Sequence, residues 1–305
     1  MRKRPSIVHC QKPKSWVQKI ILVNLAVLFE TQGKFAKAES LHLRSLKLQE
    51  EAQGPNSPFV ATSLNNLGEL YRTQGKYSEA EAYFKRALEI REKAFGSENK
   101  DVASSLNSLA VLYETEHKLQ EAESLQKRAI AIREKLLGPK DPATGRSLSN
   151  LASVYMAQQK FADAEPLFKR TLAINEEALG PNHPDVGISL DNLANSYRLQ
   201  KKYAEAEPLY KRAIAILKAS YGDVHPDTST AVGNLGALYF QQKKYAEAEP
   251  LYKQALQIRE RILGPQHPEL APLLKDYALL LRGKGSVKEA SVLEQRANSL
   301  SKGKS

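Results

Sequence analysis

A short signature, Asn-Leu-Ala or a close variant, returns along the chain every 42 residues without insertion. It stands at Asn24-Leu25-Ala26, Asn66-Leu67-Gly68, Ser108-Leu109-Ala110 and Asn150-Leu151-Ala152, then at Asn192-Leu193-Ala194, Asn234-Leu235-Gly236 and Asp276-Tyr277-Ala278. A fixed period of this length marks a stack of identical small units, each too thin to bury its own apolar faces. That register constrains the fold more than the length of 305 residues does, because an array grows in one dimension around no single core.

Each unit reads as two helices. In the second, Leu64, Leu67, Gly68 and Tyr71 recur at i, i+3, i+4 and i+7, one face of a helix. A Gly75-Lys76 turn follows, then a second apolar face at Ala80, Tyr83, Phe84, Ala87 and Leu88, closed by Gly96. Glycines at the equivalent place, Gly54, Gly138, Gly180, Gly222 and Gly264, fit a helix end where the chain turns to positive φ. The small residue at Gly68 or Ala80 marks where two helix backbones meet. Tyr71, Tyr113, Tyr155, Tyr197 and Tyr239 form a column that accounts for much of the 13 Tyr and reads as packing, not ligand stacking.

The pattern L-x-x-L-[AG]-x-x-Y followed by A-x-x-x-[FY]-x-x-A resembles the tetratricopeptide motif. The 42-residue period, with G-K-Y-x-E-A-E-P-L-Y-K-R-A-L and L-G-P-x-H-P-D-V, resembles the kinesin-light-chain type of that repeat. The resemblance covers about residues 17–300. It implies an all-α fold, a right-handed superhelical solenoid of about seven hairpins, with units centred on Leu25, Leu67, Leu109, Leu151, Leu193, Leu235 and Tyr277. No heptad coiled-coil region accompanies it, so the motor-adaptor role does not carry over. Leu281, Glu294 and Asn298 replace apolar positions in the last unit, which reads as a cap. Residues 1–16 read as a basic, disordered arm and 301–305 as a disordered tail.

The net charge of +11 sits at the ends: +6 in residues 1–19 and +4 in 282–305, leaving +1 for the 262 residues between. That distribution argues against a nucleic-acid face, which needs its charge gathered on one surface. Cys10 is the one cysteine, so there is no intramolecular disulfide and no CxxC metal site. The apolar run Ile20–Phe29 is about half of what a membrane span needs. Behind a basic start it imitates a secretory signal, yet it also falls in register with the repeat. A cytoplasmic protein is therefore expected, with export through an atypical N-terminal signal as the alternative.

His183, His225 and His267 recur 42 apart and look like metal ligands. Equivalent positions of stacked units lie about 8–10 Å apart, too far for one zinc ion. Ser57, Asn99 and Asp141 hold the same position elsewhere, and Pro usually follows, so the expectation is a helix N-cap. Glu-x-Glu pairs such as Glu79/Glu81 and Glu205/Glu207 recur in most units, unlike a catalytic pair, and fall in a first helical turn where acids are stabilised. Pro166, Pro208 and Pro250 predict a loosened first turn in three second helices. No P-loop, GxSxG or dinucleotide fingerprint is present, so neither an enzyme nor a cofactor is expected.

The resemblance implies that the first helices of the units line a concave groove, and that the recurring Asn faces it and contacts extended peptides. Asn is a poor helix former, so its recurrence wants a reason. Bonding between neighbouring helices and bonding to a peptide backbone both serve. The expected groove residues are Asn65, Asn66, Arg72, Asn107, Arg146, Asn150, Met156, Asn192, Asn195, Arg198, Asn234, Phe240 and Lys275. Arg146, Arg198, Lys275 and Arg282 gather positive charge, and Met156 and Phe240 offer apolar anchors. The expected function is a non-catalytic interaction scaffold that holds an extended, acidic and apolar segment of a partner protein. The alternatives are self-association or docking through the convex face and, less favoured, nucleic-acid binding by the basic ends. No small-molecule substrate is expected.

Overall fold

The computed structural model describes residues 14–302. Among these are fourteen α-helices, one short 3-10 turn and no strand. The first helices of the hairpins are α1 (Lys14–Thr31), α3 (Pro58–Thr73), α5 (Lys100–Thr115), α7 (Pro142–Ala157), α9 (Pro184–Leu199), α11 (Pro226–Gln241) and α13 (Ala271–Lys284). The second helices are α2 (Phe35–Gln53), α4 (Tyr77–Phe95), α6 (Leu119–Leu137), α8 (Phe161–Leu179), α10 (Tyr203–Tyr221), α12 (Tyr245–Leu263) and α14 (Val287–Lys302). The seven expected hairpins are all present. The proposed arm and tail fall mostly outside the described residues, although α1 takes in residues 14–16 and α14 reaches Lys302.

The chain groups into two units, Met1–Leu136 and Leu137–Ser305. Within each, a first helix packs on its own second helix and on the second helix of the preceding hairpin. The three repeating cues of the sequence set the helix boundaries. Gly54, Gly96, Gly138, Gly180, Gly222 and Gly264 end the second helices at φ between 79° and 93°. Asn99 and Asp141 accept from the backbone N–H two residues on, at 2.8 and 2.7 Å. His183, His225 and His267 do the same with Nδ1 at 3.2–3.3 Å, so these rings are caps. Ser57 differs: its hydroxyl turns back to Gln53 and leaves the cap unmade. The second helices α8, α10 and α12 run on through Pro166, Pro208 and Pro250.

Small residues at the helix crossings have the steric reason expected of them. A Cβ on Gly68 would lie 2.6 Å from the Phe84 ring, whereas one on Gly236 would lie 3.3 Å from Tyr252. Around these crossings Leu64, Leu67, Leu70 and Leu106 are fully buried. Each such leucine stabilises the fold by roughly 1.5–3 kcal/mol. His42 replaces the aromatic of the first hairpin, and its buried ring bonds Glu30 of α1 at 2.6 Å.

The tyrosine column does more than fill space. The hydroxyls of Tyr71, Tyr113 and Tyr239 donate to Glu39, Glu81 and Glu207 of the preceding hairpin at 2.8–2.9 Å. Glu81 and Glu207 are the second residues of Glu-x-Glu pairs, whereas Glu39 follows Lys37. The carboxylate of Glu165 takes Lys169 and Lys202 at 2.7 and 2.8 Å, and both ammonium groups stand over the Tyr197 ring. These bonds hold its pKa down at about 2. Successive hairpins are thus tied by a repeated Glu–Lys–Tyr contact as well as by apolar burial.

Candidate functional site

The surface of the first helices carries the expected groove residues, and its geometry is best developed in the Leu137–Ser305 unit. Asp191 on α9 is 8% exposed, yet it carries a carboxylate. Its Oδ2 accepts from Asn234 Nδ2 on α11 at 2.8 Å, while Oδ1 is buried with no hydrogen-bond partner. Burial raises the carboxyl to a pKa of about 7. The Asn234 bond and the Arg198 charge oppose that rise, and Asp227 adds slightly to it.

Arg198, two helical turns further along α9, donates to Asn195 Oδ1 at 2.7 Å. Its guanidinium lies close to Tyr210, whose hydroxyl is fully buried. Neither Arg198 Nε nor Tyr210 Oη has hydrogen-bond geometry to a protein atom. Arg198 also acts electrostatically on Asp276, in the second turn of α13. There the crowding of the carboxylate raises its pKa and the arginine lowers it.

Beside this cluster lies a half-open concavity of about 400 Å³. Arg198, Asn234, Gln241, Arg259 and Asp276 are its charged and amide groups, and Phe240, Leu273 and Leu279 give it apolar wall. Tyr252, stacked on Tyr277 at 6.0 Å, forms its floor. Such a mixture can hold a large apolar side chain next to a polar or charged group.

The other expected residues divide into those engaged by the fold and those left at the surface. Asn65 donates to Ser108 Oγ at 3.3 Å, across the same 43-residue step as the Asn234–Asp191 bond. Asn107 accepts from Gln126 on its own partner helix at 3.3 Å. Neighbouring first helices are thus bonded at these two places, but only at Asn234 by an amide of the recurring column; in the other bond that column supplies Ser108. Arg72 is held by Glu69 at 2.9 Å, and Arg282 by Glu294 through two bonds of 2.6 Å. Both arginines are thus neutralised locally, which thins the expected positive field. Arg146 and Lys275 are exposed; Asn66, Asn150, Asn192 and Asn195 are half-buried. Met156 packs against the Ala152–Phe168 cluster, and Phe240 lies 6.1 Å from Tyr245.

Sequence reasoning did not single out Asp191, Asp276 or Arg259. The first two lie in the columns beside and at the recurring Asn, and an acid among amides was the available signal. Arg259 comes from a second helix, which the groove reasoning set aside.

The tetratricopeptide repeat family matches residues 19–93, 101–155, 145–219 and 227–301, and the chain belongs to that family. Among solved structures, the nearly identical TPR-like repeats of a putative kinesin light chain from Podosopora anserina share 27% identity. That match covers 67% of this chain and 96% of the other, with a TM-score of 0.57. BtubC (BKLC) from P. vanneervenii matches at 21% identity and a TM-score of 0.57, covering 75% and 89% of the two chains. A Rap protein complexed with Competence and Sporulation Factor matches at 16% identity and a TM-score of 0.70, covering 96% and 77%. No curated protein matches. The repeats are of the kinesin-light-chain-like kind and indicate a protein–protein interaction scaffold. Among the described residues no helix is long and apolar enough to cross a membrane.

Proposed function

We propose that the chain is a non-catalytic module that binds an extended segment of a partner protein along the first helices of the Leu137–Ser305 unit. The observation that carries this reading is the concavity beside Phe240, with Arg198 in its wall and a buried Nε–H that no protein atom accepts. An unsatisfied buried donor costs about 1–3 kcal/mol, which an incoming acceptor recovers. An apolar side chain of the segment fills the space between Phe240, Leu273 and Leu279. A carboxylate beside it meets Arg198, and further acids meet exposed Arg146 and Lys275. Asp276 at the rim limits how many acids the segment can carry there, so one anchoring acid next to one large apolar residue is the expected core. Asn192 is half-buried on the same helix, and its amide, with both donor and acceptor, would bond the backbone of the segment.

The Rap protein complexed with Competence and Sporulation Factor supports the fold alone at its level of identity, and the peptide reading rests on this chain's own residues. The test is selection from a random peptide library on the full chain, followed by titration of the selected peptides. The expected outcome is enrichment of an acidic residue adjacent to a large apolar one. Affinity should fall at least about tenfold in the Asn192→Ala/Arg198→Ala variant, as for loss of a charge-assisted bond. Unchanged affinity in that variant removes the groove assignment.

A further inference from the structure

Within a hairpin, one residue near the end of the first helix stands opposite the residue twelve places on, in the second helix. Glu30 bonds His42 at 2.6 Å, and Arg282 bonds Glu294 twice at 2.6 Å. In hairpins between these, Met156 packs with the cluster that holds Phe168, and Phe240 with the one that holds Tyr252. The pair is matched each time, charge with a polar partner or apolar with aromatic.

In α5 and α6 the same register sets Glu114 opposite Gln126, and this pair is not matched. Gln126 is fully buried. Its Nε2 donates to Asn107 Oδ1 at 3.3 Å, while its Oε1 has no hydrogen-bond partner. Glu114 is half-buried, and among the described residues its carboxylate makes no hydrogen bond or ion pair. Burial is what acts on it, and raises its pKa. Two basic side chains lie near in register, and both are engaged elsewhere. Arg72, one repeat earlier in the same column, is held by Glu69 at 2.9 Å. Lys118, four residues on, is held by Glu116 at 3.1 Å and Glu81 at 3.5 Å. Acceptor thus meets acceptor in this hairpin, with no donor of the protein between them.

We infer that Glu114, backed by Gln126, is a recognition site for an arginine side chain of a partner protein. A half-buried carboxylate without a counter-charge is costly, and a water or a backbone N–H would leave that charge uncompensated. A cation removes the cost. Arginine suits the site better than lysine, because its planar fork takes the carboxylate through two parallel bonds and keeps further N–H groups for the Gln126 oxygen. The site lies in the Met1–Leu136 unit and does not rest on the reading given for the Leu137–Ser305 face.

Selection from a random peptide library on the full chain tests this, run in parallel on wild type, Glu114→Gln and Glu114→Arg, with circular dichroism to verify folding. Glu114→Gln keeps the shape of the side chain. Arg already stands at this position in three other hairpins, as Arg72, Arg198 and Arg282, so the fold accepts it there. Peptides selected on wild type should share a fixed arginine. Replacing that arginine by citrulline, which keeps its shape and loses its charge, should weaken binding to wild type at least about tenfold and to Glu114→Gln less than about twofold. Glu114→Arg should no longer select arginine. Arg198→Ala should still select it, so loss of acidic enrichment alone counts against the Leu137–Ser305 reading and not against this one. Wild-type peptides without a fixed arginine overturn the inference. So does an equal loss on citrulline replacement in wild type and Glu114→Gln, or arginine enrichment that survives Glu114→Arg.

Discussion

Replacing Asp191 by Asn should make the protein more stable at pH 8 and about 1–2 kcal/mol less stable at pH 4. The folded pKa is raised from 3.8 to about 7, because the carboxyl is buried and only one of its oxygens is bonded. Between those two values the folded chain keeps a proton that the unfolded chain has released. Stability from this group is therefore whole below pH 3.8, falls as pH rises, and is fully lost above about pH 7. A shift of about three units at 1.36 kcal/mol each sets an upper limit of roughly 4 kcal/mol. Asn is neutral at every pH and its oxygen can still accept from Asn234. Its buried amide N–H groups cost about 1–2 kcal/mol of that gain, leaving about 2 kcal/mol at pH 8.

Urea unfolding followed by circular dichroism at pH 4, 6 and 8 reads the difference between wild type and Asp191→Asn, provided the slope with urea is unchanged. Comparing the two proteins removes the titration of every other carboxylate. A variant less stable than wild type at pH 8, or a difference that does not grow between pH 4 and pH 7, would refute the reasoning. Either result would mean that Asp191 is ionised and compensated by Arg198.

Three further outcomes follow from the repeat geometry. Lys201 and Gln159 hold φ of 63° and 59° in turns where the equivalent residues of other hairpins are Gly33 and Gly75. Lys201→Gly should therefore gain about 1 kcal/mol by relieving left-handed strain, read as a raised thermal midpoint. Gly68→Ala should cost about 1–3 kcal/mol despite better helix propensity, since its Cβ meets the buried Phe84 ring at 2.6 Å. Phe84→Leu in the same chain should recover part of that loss, and strict additivity in the double-mutant cycle would disprove the clash. Glu165→Gln should lower stability by no more than about 1 kcal/mol at pH 7, because its lysines stay half in water. With its pKa held down at about 2, that contribution should fade as pH falls from 4.5 through 2.

The 42-residue step, the hairpin count and nearly every helix boundary could be read in the sequence. Each is set by cues within a few residues: Gly54 and its equivalents at helix ends, Asn99 or His183 at starts, and apolar residues at 3.6-residue spacing between them. Such cues act through local backbone geometry and need no partner far along the chain. What Asn234, Arg72 and Arg282 do was decided only by packing. Their partners lie 43, 3 and 12 residues away, and the same residue type serves as stitch, neutralised charge or surface donor according to which neighbour arrives. Burial likewise turned Asp191 from an ordinary acid into one half-protonated near neutral pH, since desolvation belongs to the assembled neighbourhood and not to the residue. The stripe on α1 is apolar in sequence like any other core face, and only the tertiary arrangement shows that, among the described residues, Ile21, Leu25 and Leu28 stay exposed.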